Sequence, residues 1–382
     1  MLARRMLRYA GSGAGGVPVA EGCSLDHDDF GIQDRGDNGP RGVFYRGLLR
    51  CTAALALLVV VLGATVRLAD AGLGCPDWPG CFGSPTVAGA LASPAAARAA
   101  RWPDQPLQPG RAHLEMLHRY AAGTLGLLIV GVALLGRRRA HATLLGPLLV
   151  TLVAGQALLG MWTVTLRLAP LVVMGHLLGG LTVLSLLWWL VLRDAGPVPG
   201  SGSRRMPGLH LHAGAALGAL VLQIALGGWV AANGATLACQ GFPTCNGAWW
   251  PPADFTAGFG LAADGSGSGS GPIAIHWAHR LGAGAVLLLL GSLGLRAARA
   301  TSPPALRNIA RLLLALLAVQ LALGIAIVTA GAPLALAASH NAVAALLLLT
   351  VLTLVHQLAG GGHPTGEPHA QPRPLAADPR TP

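Results

Sequence analysis

Lysine is absent from this chain, and charge of any kind is scarce: 11% of the 382 residues are charged, against roughly a quarter in soluble proteins. A soluble multidomain protein is thereby excluded. With no lysine, arginine alone carries the formal net charge of +11, which reads as a compositional bias and not as a functional signal. No apolar core of signal-peptide type precedes the first long hydrophobic run. Residues 1–47 are polar and Gly-rich with mixed charge, a composition that predicts a disordered extension without an assigned function. What the chain has in quantity is hydrophobicity, 53% of its residues with a mean hydropathy of +0.57. The apolar residues fall in runs of about 20, the helical length that crosses a roughly 30 Å hydrocarbon core. The expected class is all-α, a polytopic membrane protein with the lipid bilayer as its solvent.

Eight spans are expected, near 48–68, 113–135, 143–164, 171–192, 209–232, 273–295, 308–330 and 335–357. An even number puts both termini on one side. Arg46 and Arg50 precede the first span, Arg137, Arg138 and Arg139 follow the second, Arg193, Arg204 and Arg205 follow the fourth, and Arg296, Arg299 and Arg307 lie between the sixth and seventh. The opposite loops hold fewer, chiefly Arg98, Arg101 and Arg111, so the positive-inside rule places both termini in the cytoplasm. The basic charge is then topology, and nucleic acid is not an expected partner. Segment 264–272, alternating Gly and Ser, reads as a flexible outer linker, and residues 359–382 as a disordered tail.

The chain repeats itself. Cys75-Pro-Asp-Trp-Pro-Gly-Cys81 returns 164 residues later as Cys239-Gln-Gly-Phe-Pro-Thr-Cys245. Glu115-Met-Leu-His118-Arg119 returns after 161 as His276-Trp-Ala-His279-Arg280, while Gln156, Gly160 and His176 return after 164 as Gln320, Gly324 and His340. The same order on the same numbered span of each half predicts two pseudo-symmetric four-helix bundles, 48–195 and 209–358, joined by a cytoplasmic linker at 196–208 and related as parallel repeats.

His118, His176, His279 and His340 all lie about five residues inside the outer end of an even-numbered span, roughly 8 Å deep. Ionisable side chains there are costly and face a bundle interior, where they mark a site; a lone histidine would more simply be a hydrogen-bonded core residue, but two matched pairs favour ligation. Neither half offers a third nitrogen or a thiolate at that depth, which argues against zinc or copper. Two imidazoles from facing helices, with Gly175, Gly179 and Gly180 near one and Gly123 and Gly126 after the other, suit a planar macrocycle held from both sides. Each half therefore reads as a heme pocket with iron between its histidines. Arg119 and Arg280 adjoin a ligand and suit either heme propionates or an interface anchor. The halves differ at Glu115, which shares a helical face with His118 and has His276 as its counterpart. A carboxylate beside a heme invites a chemical role, the alternative being a favourable charge at a helix start. His113 falls off that face.

Both outer cysteine pairs, Cys75 with Cys81 and Cys239 with Cys245, can close disulfides within their loops in an oxidising compartment; a metal-binding reading of the pairs is weaker. Spacing does not say whether they are structural or exchange electrons. Cys23 and Cys51 fall on the cytoplasmic side and are expected to be unpaired.

This ordered set, from about residue 46 to 358, resembles the heme A synthase family of cytochrome c oxidase assembly. The resemblance implies an oxidoreductase of the bacterial inner membrane that converts the C8 methyl of heme O to a formyl group, giving heme A in two steps at one carbon. It implies His118 and His176 around the substrate heme, Glu115 as the essential acidic group, His279 and His340 as axial ligands of a resident heme b, and Cys75 with Cys81 as the pair associated with activity. It also implies proximity to a heme O synthase. No motif names the electron-transfer partner, and a homo-oligomer is compatible with the sequence. The alternatives are a two-heme b electron-transfer protein, which needs the same histidines but no carboxylate, and a transporter, which would place polar features at midplane, where only Gln156, Gln320 and Pro147 lie.

Overall fold

The computed structural model describes residues 39–139, 142–196, 207–260, 269–299 and 302–359. The readings of residues 1–38 with Cys23, of 197–206 with Arg204 and Arg205, of 264–268 in the Gly/Ser linker and of the tail from 360 lie outside these residues. Among the described residues eight helices are long and apolar enough to cross a membrane: α1 (Pro40–Leu68), α2 (Pro109–Leu135), α3 (Leu145–Thr165), α4 (Pro170–Ala195), α5 (Pro207–Ala232), α6 (Ser270–Ala297), α7 (Pro304–Thr329) and α8 (Leu334–Ala359). The chain is a multi-pass membrane protein.

Proline opens α1, α2, α4, α5 and α7, at positions where its missing N–H costs nothing and its fixed φ suits the first turn. This also corrects one boundary. Residues 40–47, assigned to the disordered extension, are the first two turns of α1, because Pro40 starts a helix whose Tyr45 and Leu49 are already buried. Three short helices were not expected from sequence: Val87–Ala92 and Ala95–Arg101 between α1 and α2, and Phe255–Phe259 before α6.

In the first half α1 packs on α2 and α4, and α3 packs on α2 and α4; α5 to α8 repeat the same ring of neighbours. Contacts of α1 with α8, α4 with α8 and α4 with α5 join the two sets, and one apolar core runs through both, from Leu49, Ile129 and Leu187 to Leu290, Leu313 and Leu354. Leucines such as Leu127, 76% exposed, cover the outside, as a lipid-facing surface requires. Threonine hydroxyls within the helices are satisfied locally, Thr52 on Leu48 O and Thr350 on Leu346 O. Between the sets, Arg67 at the end of α1 donates to Ala231 O at 3.0 Å, capping the end of α5, and Trp188 Nε1 on α4 donates to Thr353 Oγ1 on α8 at 2.9 Å.

The repeat extends to backbone conformation. Left-handed φ recurs at Asp70 and Gly234, Phe82 and Asn246, Gly83 and Gly247, Arg167 and Gly331, and Leu168 and Ala332, each pair 164 residues apart. The peptide bonds before Pro79 and Pro243 are both cis, and isolated antiparallel bridges join Cys81 to Ser84 and Cys245 to Ala248. At Asp70/Gly234, Phe82/Asn246, Arg167/Gly331 and Leu168/Ala332 the side chains differ while the chain path does not.

Candidate functional site

The predicted histidines meet in the first half. His118 of α2 and His176 of α4 have ring centroids 6.4 Å apart and planes at 89°. Two imidazoles on opposite sides of one metal, each nitrogen about 2 Å from it and each ring centre roughly 1 Å farther, would stand about 6 Å apart, so this pair fits an iron between them. The helix starts show why the shared-depth argument needs adjusting. His118 and His279 lie nine residues after the first residues of their helices and His176 and His340 six, because α2 and α6 begin earlier than expected. The extra turn carries the contacts to the outer loops described below.

Each histidine is half-buried and rests against a glycine of the preceding long helix. A Cβ on Gly63 would lie 2.8 Å from His118 Cε1, on Gly160 3.3 Å from His176 Cε1, on Gly227 3.0 Å from His279 Cε1 and on Gly324 3.2 Å from His340 Cε1. These four positions repeat at 164 residues, Gly63 with Gly227 and Gly160 with Gly324. One turn before three of the glycines, the carbonyls of Val59, Gln156 and Gln320 face His118, His176 and His340, although Nδ1 of those rings makes no well-formed hydrogen bond. In the second half, glutamine amides reach the rings: Gln223 Nε2 is 3.0 Å from His279 Nδ1, and Gln320 Nε2 is 3.1 Å from His340 Nε2. The donor types there suit a heme iron, and coordination through His340 Nε2 requires the Gln320 side chain to turn aside. The glycines beside the ligands behave differently from the expectation. Gly123 has open space beside it, whereas Gly179 accommodates the Gln156 side chain.

Glu115 is 4% exposed, and both its oxygens are engaged. The Cys75 backbone N–H donates to Oε2 at 2.8 Å, and Arg119 Nη2 donates to Oε1 at 2.5 Å. Arg119 Nη1 donates to the carbonyls of Asp77 at 2.8 Å and Gly80 at 2.5 Å. The carboxylate is therefore an ion-paired link between α2 and the outer loop, not a lone acid beside the histidine. In the second half Arg280 donates to Thr244 O at 3.0 Å and Cys239 O at 2.8 Å, and His276 Nδ1 lies 3.0 Å from Ala235 O. Both arginines expected at propionates are thus fastened to loop carbonyls. Cys75–Cys81 and Cys239–Cys245 are disulfides with Cα separations of 4.7 and 4.6 Å, and Cys51 is free and exposed. In the first loop Asp77 accepts from the N–H groups of Phe82 and Gly83 at 2.6 and 2.7 Å; in the second, Asn246 bridges Gln240 N–H and Ala238 O at 2.9 Å each. His113 is exposed, its Nδ1 2.7 Å from Pro109 O, and takes no part in the site.

The profile of the cytochrome oxidase assembly protein family matches residues 46–352. A heme A synthase of Shewanella oneidensis is 41% identical over 323 residues, which cover 80% of this chain and 94% of that protein. The chain belongs to the heme A synthase family. Heme A synthases of Symbiobacterium thermophilum, 31% identical over 296 residues (73% of this chain, 84% of the relative), and Rhizorhabdus wittichii, 28% identical over 341 residues (84% and 95%), are similar across most of their length. In this heme A synthase family member, the sequence marks the histidines, Glu115 and the cysteines but not Gly63, Gly227, Gln223 or Asp77. Gly63 and Gly227 carry one signal, their separation by the same 164 residues as the histidines of α4 and α8.

Proposed function

We propose that this protein is a heme A synthase whose first half binds heme O between His118 and His176 and oxidises its C8 methyl to a formyl group, while the second half holds a heme b through His279 and His340. The observation that carries the reading is the buried Glu115 on the helical face next to His118, in a half whose histidine spacing fits an iron. Glu115 is the only glutamate between residues 22 and 366, and the equivalent position in the second half is the uncharged-capable His276. That asymmetry divides the labour: one half reacts and the other retains.

Heme O brings the iron and the methyl carbon; taking that methyl to a formyl group removes four electrons in two two-electron steps and adds one oxygen atom, and heme b, when bound, would supply a one-electron couple through which electrons pass to an acceptor outside this chain. The chain's own groups do the rest. His118 and His176 orient the macrocycle, and the apolar helices around them keep water scarce. Glu115, its charge held by Arg119 and the Cys75 N–H, offers a fixed negative group that accepts a proton or stabilises positive charge as the carbon is oxidised. Arg119 and Arg280 adjoin their histidines and are held in place, which suits propionates; most of their donors already serve loop carbonyls, which makes anchoring their first task.

The arginines gathered at one end of the helices and the two disulfides at the other support a bacterial inner membrane with both termini and the linker in the cytoplasm. The division into two four-helix halves, α1 to α4 and α5 to α8, follows the same repeat. A heme O synthase in the same membrane is the expected source of substrate.

The test is extraction and chromatography of the noncovalent hemes from protein purified from cells that make heme O. Heme b together with heme O or A is the expected result. Heme b alone would favour a two-heme electron-transfer protein, and no heme would remove both readings.

A further inference from the structure

The halves differ at one ligand contact that the functional reading does not use. Of the four histidines only His279 has a partner for Nδ1: the Gln223 amide of α5, whose nitrogen lies 3.0 Å from Nδ1 and 3.0 Å from the His279 carbonyl. Nδ1 of His118, His176 and His340 is buried without one. The first half has Val59 where the second has Gln223; the valine side chain offers no hydrogen bond, and its carbonyl faces the His118 ring without forming a well-aligned hydrogen bond to Nδ1. A second difference accompanies the first. A Cβ on Gly282 would collide with Gln223 Oε1, so Gly282 makes room for the amide, and its counterpart 161 residues earlier on α2 is Ala121. Gln223 with Gly282, against Val59 with Ala121, is a matched pair of differences around one ligand. Gln320 does not separate the halves, since Gln156 stands at its position in the first.

A ligating imidazole is fixed in rotation and tautomer, and made more basic, when its second nitrogen donates to a neighbour; loss of such a partner typically weakens metal binding about 10–100-fold. In the arrangement seen the amide nitrogen faces Nδ1; Gln223 Oε1 is itself buried and unpartnered, and a half-turn of the amide presents it to a protonated Nδ1 in exchange for the bond to the His279 carbonyl. Resting on the reading that the second half holds the resident heme, we propose that Gln223 is the positioning residue that makes His279 a permanent ligand, and that Val59 leaves His118 the ligand able to give way. A half that must admit substrate and release product requires such a ligand. A half that only retains its heme does not.

The experiment uses the full-length purified protein reduced with dithionite and exposed to carbon monoxide, which binds the iron only where an axial ligand leaves. In the wild type, reactivity is expected from the first-half heme and not from heme b. Gln223→Met, nearly isosteric but without an acceptor oxygen for Nδ1, is expected to make heme b reactive and to speed its transfer to apomyoglobin about 10–100-fold. Gln223→Glu restores an acceptor and should return heme b to the inert state. Val59→Gln combined with Ala121→Gly should lower the reactivity of the first-half heme. Heme b that stays inert and slowly released in Gln223→Met overturns the proposal, as does unchanged first-half reactivity in the Val59/Ala121 double variant should Gln223→Met not fold. His279→Ala separates the two levels. If it keeps heme b, the placement of the resident heme fails; if it loses heme b while Gln223→Met behaves as wild type, only the role of Gln223 fails.

Discussion

The outer loops of the two halves follow the same path and are fastened by different chemistry. Both close a seven-residue disulfide turn, both carry a cis proline at the same place, and both return the chain through left-handed residues, Phe82 and Gly83 in one and Asn246 and Gly247 in the other. The first is gripped by a buried ion pair, Glu115 with Arg119, that also takes the Cys75 N–H. The second is gripped by Arg280 and His276 on neutral carbonyls. The backbone was thus free to be kept while the charges were changed. A buried carboxylate adds little net stability once its desolvation is counted, so its presence on one side only is in keeping with the proposed chemical role of Glu115.

The sharpest way to break the comparison is to remove one histidine from each half. His279→Ala is expected to lose heme b altogether, whereas His118→Ala should keep heme b and lose heme A production; heme content by pyridine hemochrome and chromatography reads both. If His118→Ala loses heme b and His279→Ala does not, the halves have been assigned the wrong way round. Next come the arginines. Arg119→Ala leaves Glu115 buried and unpaired, a cost on the order of 3 kcal/mol, while Arg280→Ala gives up bonds to neutral carbonyls worth roughly 1–2 kcal/mol. Thermal unfolding in detergent should show the larger drop for Arg119→Ala; equal drops would mean that the ion pair contributes nothing particular to the first loop. The glycine seats concern a single ring contact each. Gly63→Ala places a methyl 2.8 Å from His118 Cε1 and should cost about 1–3 kcal/mol with loss of first-half heme, and Gly160→Ala, at 3.3 Å from His176 Cε1, should cost less. The reverse order, read by melting temperature and heme occupancy, would show that the ring of His118 is not held by this contact.

The eight helices were legible because their apolar runs have only one use at that length, and the histidines because a repeat puts each beside a twin. Other features were hidden for physical reasons. Gly63 and Gly227 are two among 54 glycines, and nothing local marks a glycine that makes room for a ring on another helix. Gln223 is hidden because Val59 stands at its position in the first half, and a repeat marks only the positions where its halves agree. The engagement of Arg119 with loop carbonyls depends on the path of residues 77–80, which the sequence suggests through its prolines without fixing. Pro40 could have moved the start of α1, since proline so often occupies the first helical position.

The central claim, that the first half reacts and the second retains, is tested most directly by the hemes extracted from Glu115→Ala and wild type expressed side by side with heme O supplied. The account predicts heme b at the wild-type level in the variant, heme O present or absent according to its release, and no heme A. Heme A at the wild-type level in Glu115→Ala would contradict it.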